Sequence, residues 1–308
     1  SFNTATGWME VQKRIRKSNN WERMIKILSY AAAVLVPVFF VGISLKYTTH
    51  DYFSNKSVLI AQPILPGAAK AILTLDNGET INLNKETADA LQTIEGTNIQ
   101  IDSTTLNYQL AQSTSVSPKP VYNKVEIPRG GEYALVLSDG TKVHLNSMSS
   151  LRFPVAFTTG KREVELQGEA YFEVSKTGQP FIVNANGIQV EVLGTTFNIS
   201  AYPDEEYQTT LVNGSVKVSA EKGESLILKP SQQATIALGS NSIQVRTVDT
   251  SFYTSWVKGK INFKDQRLED IMKTLSRWYD MNVVYENEKL KNIRFGCNLN
   301  RYEEITPF

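Results

Sequence analysis

Between Val121 and Val248 apolar and polar residues alternate with a period of two, segment after segment. Lys161–Leu166, Ile188–Val192 and Ser215–Val218 show the pattern most plainly, and each predicts a strand with one face inward and one in water. Gly130-Gly131, Asp139-Gly140, Asn186-Gly187 and Asn213-Gly214 fall between such segments. That is the turn spacing of an antiparallel all-β sandwich or roll. No helical period intrudes.

Two stretches repeat one another. Ile72–Asn84 places alternating apolar residues around Asn77-Gly78, and Leu135–Asn146 does the same around Asp139-Gly140. Both carry a strong hairpin signal. Leu73, Leu75, Gly78, Ile81, Leu83 and Asn84 match Leu135, Leu137, Gly140, Val143, Leu145 and Asn146, which suggests a repeated β unit.

After Trp256 the period changes. Lys260–Phe263 reads as a strand, and Leu268, Ile271, Met272, Leu275 and Trp278 then recur at three and four residues, the stripe of an amphipathic helix. Asn282–Tyr285 and Ile293–Phe295 follow as strands, giving a small α+β unit of order β-α-β-β.

Near the other end, Ile27–Leu45 is an uncharged, mostly apolar run. At the helical rise it reaches across a bilayer core of roughly 30 Å. A buried core helix would need a polar face, which Met24–Leu45 lacks, and would tolerate Pro37 poorly. A cleaved signal peptide would be followed by small residues, whereas Lys46-Tyr47-Thr48-Thr49-His50 follows here. A single transmembrane helix is therefore expected. Lys13, Arg14, Arg16, Lys17, Arg23 and Lys26 precede it against only Glu10 and Glu22, so the N-terminus is expected in the cytoplasm and the long C-terminal part outside. Trp8, Val11 and Ile15 mark a short amphipathic helix whose cations lie near anionic lipid.

The expected organisation is a cytoplasmic remnant (1–26), a transmembrane helix (27–45), a hairpin-containing linker region closed by Ser117-Pro118-Lys119-Pro120 (46–120), an all-β domain (121–250) and the mixed unit (256–308). The chain opens at Ser1 without methionine and closes at Phe308 soon after a strand-like segment, which reads as a piece of a longer protein.

Composition narrows the function. The formal charge is +1, without a basic face beyond the juxtamembrane segment, which argues against nucleic-acid binding. Cys297 is the only cysteine, so no internal disulfide forms, and two distant histidines with one thiol do not make a zinc site. No cofactor is called for. In Gly168-Glu169-Ala170-Tyr171-Phe172-Glu173 the two carboxylates invite a glycosidase reading. On a strand, residues four apart lie about 13 Å from one another, wider than either glycosidase geometry. They read instead as solvated strand carboxylates.

The phrases Pro128-Arg129-Gly130-Gly131, Leu137-Ser138-Asp139-Gly140-Thr141-Lys142-Val143, Gly168–Val174, Val192-Leu193-Gly194-Thr195-Thr196-Phe197-Asn198 and Leu211–Val216 occur in one order. In them the chain resembles the periplasmic region of FecR-type anti-sigma factors, especially the Bacteroidetes forms. His144 departs from a tryptophan common at its position, which bears on packing. Gly259–Phe263 through Arg277-Trp278-Tyr279 resembles the domain ending these proteins, of secretin/TonB short N-terminal type. The resemblance implies a bacterial inner-membrane anti-sigma factor with a periplasmic C-terminal region. Its partners would be an extracytoplasmic-function (ECF) sigma factor, held through an N-terminal region of which Ser1–Lys26 is only the tail, and the signalling domain of a TonB-dependent outer-membrane transporter.

Three further expectations stand beside that resemblance, the first of them drawn from the family. Some members cut themselves between glycine and threonine, here Gly194 and Thr195, by attack of the threonine hydroxyl on the preceding carbonyl. The plain alternative is a glycine bend between two strands where a side chain would not fit. The edge formed by Lys260, Ile261, Asn262 and Phe263, together with Tyr279, is the candidate partner-binding surface, while Trp278 is read as core. A signal carried by one unpartnered helix favours release by regulated proteolysis near Ile27–Leu45. The rival from another class is a membrane-tethered glycan- or ligand-binding module, which predicts an exposed aromatic platform built from Tyr133, Phe153, Phe157 and Tyr171.

Overall fold

A computed structural model describes Met9, Ile64, residues 66–83, Gln100–Ile101, and residues 104–108, 120–158, 160–221 and 223–303. The run Ile27–Leu45 lies outside them, and among the described residues no helix is long and apolar enough to cross a membrane.

Among the described residues eighteen strands form a β lobe within the compact unit Pro63–Phe308. They are β1 (Ala68–Ala69), β2 (Ala71–Thr74), β3 (Thr80–Leu83), β4 (Gln100–Ile101), β5 (Thr105–Asn107) and β6 (Tyr122–Ile127). Next come β7 (Gly131–Val136), β8 (Lys142–Leu145), β9 (Ser149–Pro154), β10 (Arg162–Glu173), β11 (Phe181–Ala185) and β12 (Ile188–Val192). The last are β13 (Thr196–Ala201), β14 (Tyr207–Asn213), β15 (Val216–Ser219), β16 (Ser225–Leu228), β17 (Gln232–Ile236) and β18 (Gln244–Thr247).

The pairings define two sheets. The first runs β3-β2-β6-β9-β10-β11-β12-β15-β16. The second runs β4-β5-β7-β8-β10-β13-β14-β17-β18. β10 belongs to both: its first half pairs with β9 and β11, its second with β8 and β13. The change of sheet falls at Gly168, whose φ is +85° and where a Cβ would collide with Ser149. Only glycine takes that backbone without strain. One core cluster draws on both sheets, with Phe172 stacked on Phe197 at 5.1 Å and tilted against Phe181 at 6.2 Å.

β1–β7, β5–β7 and β10–β11 run parallel, so the lobe is mainly rather than wholly antiparallel, as alternation alone had suggested. The β10–β11 case has a physical cause: β10 bends so sharply that the chain beyond its far end returns to its beginning. Arg162, 1% exposed, donates to Ser175 O at 2.8 Å and Gln179 O at 2.6 Å, and it pairs with Asp139 Oδ2 at 2.6 Å. Its guanidinium holds the return loop against the Asp139 turn.

The repeated hairpins are the same down to their backbone bonds. Leu75 N donates to Glu79 O and Leu137 N to Thr141 O, while Gly78 N reaches Leu75 O and Gly140 N reaches Leu137 O. Asn77 and Asp139 each accept from the backbone N–H two residues on. The first hairpin is no linker, however. Leu73 pairs with Val125, and Leu73, Leu75 and Leu83 are buried in the same core as Leu135, Leu137 and Leu145, so the expected boundary at residue 120 divides nothing.

The C-terminal lobe starts with α1 (Ser251–Thr254) and a 3₁₀ turn over Ser255–Lys258, then β19 (Lys260–Arg267), α2 (Leu268–Trp278), a 3₁₀ turn over Glu288–Asn292 and β20 (Arg294–Asn300). α2 turns Ile271, Leu275 and Trp278 inward, as its spacing predicts. β19 continues past Phe263 through a bulge, with Asp265 at φ +50°. The expected strand Asn282–Tyr285 is absent, making the described lobe β-α-β. That segment is held by side chains instead: Arg129 donates to Asn282 Oδ1 and Met281 O, both at 3.2 Å, Lys291 lies over the Tyr285 ring, and Val284 is 88% exposed.

Candidate functional site

The two lobes keep separate apolar cores. The smaller gathers Trp256, Ile261, Phe263, Ile271, Leu275, Trp278 and Tyr279, and among the described residues Ile64 and Tyr171 are the partly buried hydrophobics of the β lobe packed against it. What joins the lobes is polar. The seam lies on the face of the second sheet opposite its core, where alternation along β10 and β13 turns Glu169 and Asn198 outward while Ala170, Phe172, Phe197 and Ile199 point inward.

At its centre the Glu169 carboxylate accepts from Asn146 Nδ2 at 2.8 Å and from Asn198 Nδ2 at 2.9 Å. An amide whose nitrogen is pinned has its oxygen aimed the other way. Asn146 Oδ1 accepts from Trp278 Nε1 at 2.9 Å and Arg301 Nη1 at 3.0 Å, and Asn198 Oδ1 accepts from Trp256 Nε1 at 3.1 Å. One carboxylate thus orients two acceptors that receive the two tryptophans of the C-terminal lobe.

Arg301 fastens the same region. It is fully buried, its Nη2 donates to Gly131 O and Ser147 Oγ, both at 2.6 Å, it pairs with Glu132 at 3.0 Å, and it lies over the Trp278 ring at 4.5 Å. Arg277 pairs with Glu205 at 2.5 Å and lies over the Tyr202 ring at 3.9 Å, and Gly130 N donates to Arg277 O at 2.7 Å. Burial raises the Glu169 pKa above its ordinary value, while the Asn198 and Asn146 hydrogen bonds and the Arg277 charge oppose the rise. Burial also pulls Arg301 down, against the charge of Glu132.

Beside this junction opens a cleft of about 570 Å³. Its β-lobe wall carries Glu169, Asp204, Glu205 and Glu206 with Arg246, and its opposite wall carries Lys264, Arg267, Lys273, Arg277 and Arg294 with Asp265 and Asp270. The β-lobe wall is on balance acidic and the facing wall on balance basic, with Arg277–Glu205 the ion pair that spans the gap among the described residues.

The residues singled out by sequence fare unevenly. Lys260 is exposed and Asn262 half-buried, but Ile261, Phe263 and Tyr279 are buried at 8%, 8% and 4% exposure. Tyr279 does not sit at an open edge. It lies four residues beyond Leu275 on the helix stripe, and its hydroxyl donates toward Asn300 O and Glu303 O. Gly194 lies in the bend between β12 and β13, and a Cβ there would collide with Lys176. Thr195 is buried, its Oγ1 donating to Ser215 O at 3.0 Å. The two lie together beside a cavity of about 290 Å³, while the five C-terminal candidates lie in the other lobe.

Two readings are corrected. Glu173 is exposed as expected, but Glu169 is no solvated strand carboxylate: it lies at the base of the cleft under two amides. The aromatic platform does not form either, since Tyr133 and Phe153 are core, Phe157 packs on that core, and Tyr171 leans on the C-terminal lobe. His144 meets Tyr171 edge-on at 6.3 Å, a packing role. Asn146 and Asn198 stand out in the sequence only as members of the repeat and of a family phrase, with no site role attached. The one signal available was an asparagine at the outward position of an otherwise apolar strand phrase.

Comparison with known proteins follows this division. Residues 123–217 match the FecR protein family model and residues 260–308 match the FecR C-terminal family model. Two crystal structures of a "putative anti-sigma factor" from Parabacteroides distasonis ATCC 8503, at 1.65 and 2.50 Å resolution, are similar at 28% identity, with TM-scores of 0.55 and 0.53. Each comparison covers 60% of this chain and 87% of the other. A search of curated proteins gives no match.

Proposed function

Because the chain belongs to the FecR-type anti-sigma factors, we propose that it relays an extracytoplasmic signal to a sigma factor across the bacterial inner membrane. In this reading Ile27–Leu45 spans the membrane once, the N-terminal side holds an ECF sigma factor in the cytoplasm, and the β and C-terminal lobes stand in the periplasm. The C-terminal lobe receives the signalling domain of a TonB-dependent outer-membrane transporter, and proteolysis near the span releases the cytoplasmic part.

One observation carries the receiving role. The C-terminal lobe has its own apolar core and meets the β lobe through polar contacts, the character of an interface that can exchange partners. Lys260 and the half-buried Asn262 supply its accessible edge at the start of β19.

The test is capture of the tagged full chain, extended N-terminally by its sigma-binding region, from cells with and without the transporter's inducer. The sigma factor co-purifies before induction, and the transporter's signalling domain is retained by the chain but lost when residues 256–308 are deleted. A chain that stays full-length while its sigma factor becomes fully active removes the proteolytic step. Failure of the signalling domain to bind removes the receiving role.

A further inference from the structure

Two lobes with separate cores, joined largely through hydrogen bonds and ion pairs, can part without either unfolding. We propose that the outer face of the second sheet is a releasable docking surface for the chain's own C-terminal lobe, with Glu169 as the residue that positions it. The proposal rests on the reading above only in assigning release to signalling; the docking itself stands alone.

Asn146 follows the end of β8 and Asn198 lies on β13, and Glu169 holds both nitrogen ends at once. Without the carboxylate both amide nitrogens lose their buried acceptor. Asn146 Oδ1 is still held by Ser147 N at 2.8 Å as well as by Trp278 and Arg301, whereas the Asn198 amide can turn its NH₂ toward Trp256 Nε1, so that donor faces donor. The two tryptophan anchors, at residues 256 and 278, thus both bind amides that Glu169 holds, although Glu169 touches neither ring. Among the described residues Ile64 and Tyr171 are the β-lobe hydrophobics packed on the smaller core, so the polar contacts bear most of the docking. The facing charged walls of the cleft show that the lobes already stand apart along one side of the seam.

Opening has a defined footprint. It frees Trp256, Trp278, Arg277, Arg301 and Tyr302 from the β lobe, parts Arg129 from Met281 and Asn282, uncovers Ile64 and Tyr171, and leaves the larger apolar cluster closed. The segment from Asp249 to Gly259 is the connection about which the lobe would turn, and Gly259, at φ +69°, lies at its end.

The experiment compares backbone hydrogen exchange in the full chain with that in E169A, W278F and the double variant, with E173A as control on the exposed part of the same strand. In E169A, amides within α2, β19 and β20 are expected to exchange about tenfold faster or more, given the loss of two charge-assisted hydrogen bonds. Amides of β11, β12 and β14 keep their rates. Because E169A and W278F act through the same amide, their combined effect falls short of the product of the two, whereas E173A and W278F multiply. Trp-selective ¹⁵N labelling adds a readout that packing alone would not move: in E169A both the Trp256 and the Trp278 indole N–H resonances shift, although Glu169 contacts neither ring.

Faster exchange spread through the β lobe would make Glu169 a residue of the sheet and overturn the proposal, as would unchanged exchange in the C-terminal lobe. Should E169A fail to fold, W278F alone must still loosen the C-terminal lobe selectively. None of these measurements involves a transporter or sigma factor, so docking can fail while the relay survives, and the reverse.

Discussion

Trp278 donates its indole N–H to Asn146 Oδ1 at 2.9 Å across 132 residues of sequence, joining the end of the C-terminal helix to the end of a strand in the repeated hairpin. Trp278 is 1% exposed, and its burial fills the lobe's own core while its one polar atom is spent outside that core. The two functions of the side chain are separable. W278F keeps most of the apolar volume and loses the bond, for which a cost of about 1 kcal/mol is expected. W278A also empties the core, and about 3–5 kcal/mol is expected. Urea unfolding of the two variants checks the difference; equal losses would show that the hydrogen bond contributes nothing separate.

Glu169 makes the stability of the chain depend on pH in an uncommon direction. Its pKa is raised by burial above the ordinary 4.5, so the folded form takes up this proton before the unfolded form does. Stability from this group is therefore present below the unfolded carboxylate value and lost as pH rises through the folded one. The difference in unfolding free energy between wild type and E169Q, measured across that interval, is expected to fall with rising pH for the wild type. A flat difference would mean that the two amides and Arg277 offset the burial fully.

Arg162 and Asp139 form the most enclosed ion pair described, at 1% and 7% side-chain exposure. Removing the cation leaves Asp139 buried with its charge uncompensated and strips two carbonyls of the return loop of their donor. R162A is expected to cost about 3–5 kcal/mol. R162K should recover little, because a point charge cannot reach Asp139, Ser175 and Gln179 together as the guanidinium fork does. Chemical denaturation of both variants tests this; near-complete rescue by lysine would reduce the interaction to charge alone.

The hairpins, the alternating strands and the amphipathic helix were legible because each is a local pattern with its own period. Asn77-Gly78 and Asp139-Gly140 announce their turns, and the same backbone bonds form in both. Legibility ended where the partner of a residue is distant. Glu169 and Glu173 look alike in sequence, four apart on one strand, yet one meets two asparagines beneath the docked lobe and the other meets water. Val283 and Val284 have strand propensity, but propensity forms no strand where no neighbouring edge completes the ladder. Tyr279 was readable in principle, since it continues the stripe of Ile271 and Leu275 at helical spacing.

The Gly194–Thr195 bond allows the most direct test of chemistry in the chain. An N-to-O shift needs the threonine hydroxyl turned onto the Gly194 carbonyl, a group to take its proton, and donors for the oxyanion. Thr195 Oγ1 instead donates to Ser215 O, and Thr195 O accepts from Val174 N, so the residue ties the bend to the strands on either side. Glu191 and Lys217, which line the adjoining cavity, pair with each other at 3.6 Å. The bend itself is set by sterics, because a side chain at position 194 would strike Lys176. The purified chain is therefore expected to show a single full-length mass by denaturing mass spectrometry after long incubation. T195V should fold with a loss of about 1 kcal/mol, and T195S should restore that loss, as expected for a hydrogen-bonding hydroxyl. A fragment beginning at Thr195, formed by the wild type and T195S but not by T195V, would instead establish that the hydroxyl leaves Ser215 to attack the bond beside it.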